Sequence, residues 1–197
     1  MSWPDFINRT EMIQAQKQSD LLLFINPRMD QLPLPITRFD EPFFPFGKAI
    51  IAATHDLVCG YIFDLASYLA LGAAGAVALE RTLGYVDKQS LKILHGPFSG
   101  AGYTAMADAI AFALDGLTLT HSTDLATYLN NPPYAGFALD NAELEMGGTI
   151  DFAQGRLVAY AEGQAKLQMR LVADDFLFAY RGMDFADQIR AGLDAMR

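Results

Sequence analysis

The chain has 197 residues, of which 52% are hydrophobic and only 19% are charged, and its formal net charge is -9. This length suits one domain with a sizeable core, so we treat 1–197 as a single domain. The acidic balance argues against a nucleic-acid-binding surface, which needs clustered lysine and arginine. The low share of charged residues predicts that much of the chain is buried or presents an apolar face to a protein partner.

Cysteine usage and the N-terminus bear on the cellular compartment. Cys59 is the only cysteine, so an intramolecular disulfide is excluded, which is consistent with a reducing compartment. Residues 1–18 contain no basic region followed by an apolar stretch, and we expect no signal peptide. The most apolar segment, 65–79, is shorter than the roughly 20 residues that a membrane span needs. We therefore expect a cytoplasmic protein without membrane insertion.

The first 140 residues alternate between helical and strand-like patterns. Apolar spacing predicts a helix over 4–18, and the apolar run 21–25 predicts a buried strand. Prolines in the loop that follows, up to Phe46, argue against a long helix there. Further helices are predicted over 47–56, 65–85, 103–114 and 123–130, and further strands over 57–62, 91–94, 117–120 and 136–140. Short apolar strands that alternate with helices are typical of a parallel sheet or barrel.

The alternation of predicted helices and strands is less clear after Asn141. Strand-like runs are found at about 149–153, 156–161 and 173–180. This region fits βα units with a shortened helix at 163–171, and it fits antiparallel strands joined by turns at 154–155 and 162–163 equally well. The final segment, 184–197, has the apolar spacing of an amphipathic helix.

Three stretches point to a known family: LLLFINPRMDQLP at 21–33, the segment 46–86 that begins FGKAIIAATHDLVCGYIFD, and ILHGPFSGAGYT at 93–104. They resemble, in order, the first strand, the first helix to the second helix, and the catalytic third strand of the orotidine 5'-monophosphate decarboxylase family, in its longer bacterial form. The resemblance implies a TIM (β/α) barrel. The stretch between 141 and 175 is too short for the remaining βα units. We therefore expect an α/β, TIM barrel-like fold that is shortened or incomplete in its C-terminal third.

The resemblance also implies the loss of the family's catalytic groups. The family places aspartates and lysines at the barrel mouth, where a lysine ammonium stabilises the carbanion formed as CO2 leaves and then donates a proton. The residues at the matching positions are Asn26, Ile62, His95, Pro97 and Gly100. None of them is an aspartate or a lysine, so we expect no decarboxylation. We assign no catalytic residue, no cofactor and no resident metal.

Polar residues at the predicted mouth could still bind a ligand. Asn26 and Arg28 could contact a ribose or a base, and Gly100 and Gly102 precede a predicted helix that could bind an anion. A tight strand-to-helix turn explains the same glycines. Arg181 lies in a stretch that resembles the family's last strand and helix, which would place it near the family's phosphate-binding arginine.

Two histidines and one carboxylate follow successive predicted strands. His95, His121 and Asp140 could hold a divalent metal or support a new reaction. The simpler interpretation is that they are ordinary polar residues that fill a vacated pocket mouth.

The sequence therefore predicts a catalytically inactive relative of the decarboxylases that serves as a structural or protein-interaction subunit, in a homodimer or a heteromeric complex. The alternatives are a binding module for a nucleotide or another phosphorylated metabolite, and an enzyme with new chemistry. The resemblance implies a dimer contact at the barrel mouth, so we expect an interface that includes part of 95–103. A barrel that lacks material between 141 and 175 is also expected to leave sheet edge or core surface uncovered in a monomer.

Overall fold

The computed structural model describes residues 2–98, 112–129, 135–140, 144–173 and 175–197. The strands within these residues are β1 (Leu21–Ile25), β2 (Gly60–Asp64), β3 (Leu91–Phe98), β4 (Gly116–Leu119), β5 (Ala135–Ala138), β6 (Met146–Asp151), β7 (Arg156–Ala161) and β8 (Gln164–Val172). The α-helices within them are α1 (Trp3–Lys17), α2 (Phe43–Thr54), α3 (Leu65–Leu69), α4 (Ala73–Tyr85), α5 (Leu125–Leu129), α6 (Asp175–Phe178) and α7 (Phe185–Asp194). Together the strands form a closed barrel in chain order.

The barrel combines two kinds of strand pairing. Strands β1 to β6 run parallel. Strand β7 is antiparallel to both of its neighbours, and β8 pairs in parallel with β1 to close the barrel. Hairpin turns therefore join β6 to β7 and β7 to β8. Parallel strands at these positions would have needed crossover connections, which are usually helices. The TIM barrel-like α/β fold is confirmed, and the expectation of an uncovered sheet edge is wrong because β8 pairs with β1.

The segment 164–172 decides between the two alternatives for the C-terminal third. It forms strand β8, so the predicted helix at 163–171 is wrong and the antiparallel alternative is the one observed. Leu167, Met169 and Leu171 are buried while the residues between them are exposed. This period of two is the pattern of a sheet with one face in the core and the other in water.

Helix α1 lies against the amino end of the barrel. Trp3 and Phe6 stack on each other with 5.6 Å between ring centroids, and both contact Phe137 of β5. The indole N–H of Trp3 donates a hydrogen bond of 2.8 Å to the carbonyl of Tyr160 in β7. These rings belong to one cluster of buried residues, which also contains Leu22, Phe24, Ile62 and Ile93 of the strands and which we call the inner apolar cluster. The cluster continues from the barrel interior into α1, so this helix covers the base of the barrel.

The helices on the outer face differ in detail from the predicted ones. Helix α2 begins at Phe43, four residues before the predicted start, because Pro45 falls in the first turn, where no backbone N–H donor is needed. The predicted helix 65–85 is interrupted at Gly72, whose φ of 61° is a left-handed conformation that ends the helical path. The predicted strand at 173–180 contains the short helix α6 instead.

Most of the predicted helix 103–114 lies outside the described residues. No helix within the described residues is both long and apolar enough to cross a membrane.

Candidate functional site

The residues matched to the family's catalytic positions converge on the carboxyl end of the parallel strands, which we call the barrel mouth. Asn26 follows β1 directly and is 4% exposed. Ile62 lies in β2, and His95 and Pro97 lie in β3. Gly100 and Gly102 fall outside the described residues, as does most of the expected interface segment 95–103.

The floor of the mouth is apolar. Ile62 is fully buried and belongs to the inner apolar cluster. Its backbone pairs with Phe24 of β1 on one side and with Ile93 of β3 on the other, and both of these side chains are in the same cluster. An ammonium group placed here without a partner would be strongly destabilised by desolvation.

His95 is half-buried and packs against two aromatic rings. Its imidazole centroid lies 4.6 Å from the ring of Phe152 and 5.7 Å from the ring of Phe24. The rings of Phe24 and Phe152 also contact each other at 5.1 Å. Phe152 belongs to the turn between β6 and β7, so the antiparallel segment supplies a ring that packs on the third strand. We call Phe24, His95 and Phe152 the mouth cluster.

A hydroxyl holds the other side of the imidazole. Thr118 Oγ1 lies 3.0 Å from His95 Nδ1, accepts a hydrogen bond of 3.1 Å from the Gly96 N–H, and lies 3.2 Å from the Gly96 carbonyl. A hydroxyl carries one proton, so when it donates to that carbonyl it accepts from Nδ1. The contact fixes the orientation of His95 within the mouth cluster.

His121 and Asp140 lie together at the ends of β4 and β5. Asp140 Oδ2 is 3.9 Å from His121 Nδ1 and accepts hydrogen bonds of 2.9 Å from both the backbone N–H and the hydroxyl of Ser122. Burial opposes ionisation of Asp140, but the hydrogen bonds from Ser122 outweigh it, and the pKa of the carboxyl is lowered. The described residues contain no group of three or more His, Cys, Asp or Glu side chains able to hold a metal. His95 is therefore not brought into a metal site with this pair.

Two arginines link the loop after β1 to the C-terminal part of the chain. Arg181 donates hydrogen bonds to the carbonyls of Asp30 (2.6 Å) and Gln31 (3.2 Å). The guanidinium of Arg28 lies 5.2 Å from the centroid of Phe178 in α6. An open cavity of about 550 Å³ is lined in part by Arg181, Phe178 and Asp30. Arg181 follows a short helix rather than the expected strand, and it still reaches the mouth side of the barrel.

The only cysteine of the chain is not available as a nucleophile. Cys59 is fully buried, and its Sγ lies 2.7 Å from the Ser19 carbonyl. Burial raises the pKa of its thiol to about 12. The thiolate, which is the nucleophilic form, is therefore absent near neutral pH.

Comparison with known proteins finds sequence similarity to orotidine 5'-phosphate decarboxylases. No protein-family profile matches the chain. The orotidine 5'-phosphate decarboxylase of Thermomicrobium roseum is 38% identical over 106 residues, which is 54% of this chain and 38% of that protein. The enzyme of the same name from Herpetosiphon aurantiacus is 32% identical over 119 residues, 58% of this chain and 45% of that protein. The chain thus spans less than half the length of these relatives.

Solved structures show the same fold. A Toxoplasma gondii protein described as an orotidine-monophosphate decarboxylase superposes with a TM-score of 0.61 at 23% identity, over 71% of this chain and 50% of the other. The Plasmodium berghei orotidine 5'-monophosphate decarboxylase gives a TM-score of 0.59 at 14% identity, over 71% and 62% of the two chains. The barrel architecture is therefore shared across about seven-tenths of the chain.

Proposed function

We propose that the chain is a catalytically inactive member of the orotidine 5'-phosphate decarboxylase family, to two of whose enzymes it is 38% and 32% identical over part of their length, and that it serves as a structural or protein-interaction subunit. The observation that carries this proposal is the packing of the mouth. The ring of Phe152 covers His95 and Phe24, and Ile62 is buried at the position where the family has a lysine. Aromatic and aliphatic side chains take the place of the charged groups that decarboxylation needs.

The chemistry of decarboxylation gives the physical reason for the proposed inactivity. Release of CO2 leaves a carbanion, which requires a nearby cation for stabilisation and an acid for protonation. Ile62 provides neither. The half-buried imidazole of His95 contacts the Thr118 hydroxyl and packs against two aromatic rings, and these contacts orient it without supplying a cation.

Assembly is the second part of the proposal. A homodimer or a heteromeric complex suits a chain with 19% charged residues, because such a composition leaves apolar surface to be covered. Leu34 and Val77 are 68% and 52% exposed. We further propose a cytoplasmic location, since the lone Cys59 requires no oxidising compartment.

The test is a decarboxylation assay on the purified chain with orotidine 5'-monophosphate, using an active decarboxylase as the positive control. We expect no rate above the uncatalysed background. A rate that disappears in a His95→Ala variant would overturn the proposal, because it would assign the activity to the mouth cluster rather than to a contaminant.

A phosphate- or nucleotide-binding module is the alternative function. The supporting observation is the guanidinium of Arg181, which lines an open cavity beside the loop after β1. Thermal denaturation with uridine monophosphate and with inorganic phosphate tests it, since a ligand at about 100 times its Kd stabilises the native state by about 2.7 kcal/mol. A shift that is lost in Arg181→Ala would favour this alternative, and no shift with either ligand would remove it.

An enzyme with new chemistry at His95, His121 and Asp140 has less support. Asp140 pairs with His121 and Ser122, whereas His95 bonds to Thr118. Within the part of the chain that the structure describes, no three His, Cys, Asp or Glu side chains form a group that could hold a metal. Metal analysis of the purified protein tests this third function, and a stoichiometric metal lost in His121→Ala would revive it.

A further inference from the structure

Met183 presents its sulfur to a cation on the mouth side of the barrel. The residue is 70% exposed in the turn before α7, and Nη2 of Arg38 lies 3.9 Å from its Sδ. Arg38 belongs to the loop after β1 and is itself exposed. Within the part of the chain that the structure describes, Arg38 makes no ion pair. The other N–H donors of its guanidinium can therefore serve a second acceptor beside the sulfur.

Met12 is an exposed methionine without such a neighbour. It is 72% exposed on α1, so solvent reaches it as freely as it reaches Met183. Within the described residues, no side-chain donor contacts the Met12 sulfur. The two methionines therefore differ in the guanidinium beside the sulfur and not in access to water. Met169 of β8 is the opposite case, because it is fully buried.

The contact between Met183 and Arg38 belongs to a set of contacts that join the same two loops. The backbone N–H of Leu34 donates a hydrogen bond of 3.0 Å to the Arg181 carbonyl, and the Arg181 guanidinium donates to the carbonyls of Asp30 and Gln31. A thioether sulfur is a weak acceptor. The link through Met183 is therefore the weakest of the set, and it is the one that a change at sulfur can strengthen.

We propose that Met183 is a site of reversible oxidation by hydrogen peroxide, in which Arg38 promotes oxygen transfer and then binds the product. The sulfur lone pair attacks one peroxide oxygen, and an S–O bond forms as the O–O bond breaks. The departing hydroxide takes the proton of the transferred oxygen and leaves as water. Sulfur is oxidised by two electrons and the peroxide is reduced. The guanidinium N–H groups stabilise the negative charge that develops on the departing oxygen.

The product strengthens the link between the loops. A sulfoxide oxygen carries a partial negative charge, and its hydrogen bond from a guanidinium is charge-assisted. Oxidation of Met183 thus ties the loop after β1 more firmly to the turn before α7, beside the open cavity that Arg181 lines. Methionine sulfoxide reductases return the thioether and release the tie. This site is independent of the proposed interaction-subunit function.

The first experiment measures the oxidation rate of each methionine in dilute hydrogen peroxide by mass spectrometry. Trypsin releases Met12, Met169 and Met183 on the separate peptides 10–17, 167–170 and 182–190. Met183 is expected to oxidise at least roughly threefold faster than Met12, which corresponds to one hydrogen bond of ordinary net strength. Arg38→Ala should bring the rate of Met183 down to that of Met12 and leave Met12 unchanged. Slow oxidation of Met169 in the same sample shows that each variant is folded.

A second experiment tests the link between the loops by hydrogen exchange. After peroxide treatment, the backbone N–H of Leu34 should exchange roughly threefold more slowly than before, because the loops separate less often. The control is Met183→Leu, which conserves side-chain volume and has no sulfur to oxidise. The same treatment should leave its exchange unchanged.

Three results would overturn this proposal. The first is equal oxidation rates for Met183 and Met12, and the second is a fast Met183 that keeps its rate in Arg38→Ala, since exposure alone would then explain it. The third is exchange at Leu34 that does not change when Met183 is fully converted to the sulfoxide. A Met183 rate that depends on Arg38, together with slower exchange in the oxidised chain, would support it.

Discussion

The imidazole of His95 packs on the ring of Phe152 with 4.6 Å between their centroids. One ring comes from the third parallel strand, and the other comes from the turn that begins the antiparallel segment. The contact therefore joins two features that set this chain apart from the family it resembles. One is a barrel mouth without aspartate or lysine at the matched catalytic positions, and the other is a shortened C-terminal third.

Removing Phe152 tests whether the mouth cluster stabilises the fold. Phe152→Ala leaves His95 and Phe24 without their shared neighbour, and the half-buried ring should cost about 1–3 kcal/mol of unfolding free energy. Urea denaturation measures the loss. Met12→Ala, at a position that is 72% exposed on α1, is the control and should change stability by less than about 0.5 kcal/mol. Equal stability of the Phe152 variant and the unmodified chain would mean that the rings do not pack in solution.

Restoring single lysines should not restore decarboxylation. Ile62→Lys buries an ammonium in the inner apolar cluster and should cost roughly 3 kcal/mol or more, while the volume-conserving Ile62→Leu should cost less than about 1.5 kcal/mol. Pro97→Lys adds an ammonium without its flanking carboxylates, and catalytic groups that act as a unit are not additive. Both lysine variants are assayed with orotidine 5'-monophosphate. Appreciable turnover by either one would show that the scaffold is closer to an active enzyme than we infer.

Gly148 of β6 is a position where any side chain would collide with the core. A Cβ there would lie 2.2 Å from Cδ1 of Phe137 and 3.2 Å from the indole of Trp3. Gly148→Ala should therefore destabilise the fold by about 1–3 kcal/mol, the usual cost of overpacking. Gly84→Ala is the opposite case, because Gly84 lies in α4 and a Cβ there meets nothing within 4 Å. It should stabilise by about 0.5–1 kcal/mol, and thermal denaturation ranks the two variants.

The ion pair between Asp56 and Arg190 predicts a pH dependence. Hydrogen bonds from Arg190, at 2.6 and 2.7 Å, lower the pKa of Asp56 from 3.8 to about 2. Because the folded-state pKa is depressed, the stabilisation is present above the unfolded-state pKa and is lost as pH falls through about 2. The pair is largely exposed, so it should contribute less than about 1 kcal/mol.

The measurement for this pair compares the unmodified chain with Asp56→Asn by urea denaturation. The difference in unfolding free energy should be present near neutral pH and should shrink between the unfolded-state pKa of 3.8 and the folded-state value of about 2. A difference that persists unchanged below this range would show that the carboxylate charge is not what stabilises the contact.

Local patterns of apolar residues were sufficient to predict some of the strands. The run 21–25 is buried at every position and forms β1 as predicted, and 156–161 forms β7 with the predicted bounds. The segment 164–172 was harder, because its length also fits a helix, although Lys166, Gln168 and Arg170 alternate with buried apolar residues. That alternation was the signal for a strand, and it outweighs length when one face is solvated.

The mouth could be predicted only in part. His95 was identified because a family motif places a functional residue at its position. Phe152 was missed, and no local pattern could have indicated it, because its contact with His95 exists only once β6 has paired with β5. The same holds for Thr118, whose hydroxyl reaches His95 across neighbouring strands. Residues brought together by non-local pairing leave no periodic signal along the chain.

The antiparallel arrangement of β6, β7 and β8 has a consequence for the order of folding events. Pairing within this meander joins residues that are close in the chain, so its loop-closure entropy is small. Sealing the barrel instead joins Leu21 to Arg170 and Leu23 to Val172, residues from nearly opposite ends of the chain. The pairing of β1 with β8 therefore carries a large loop-closure cost, and the meander can form as a local unit before these two strands pair.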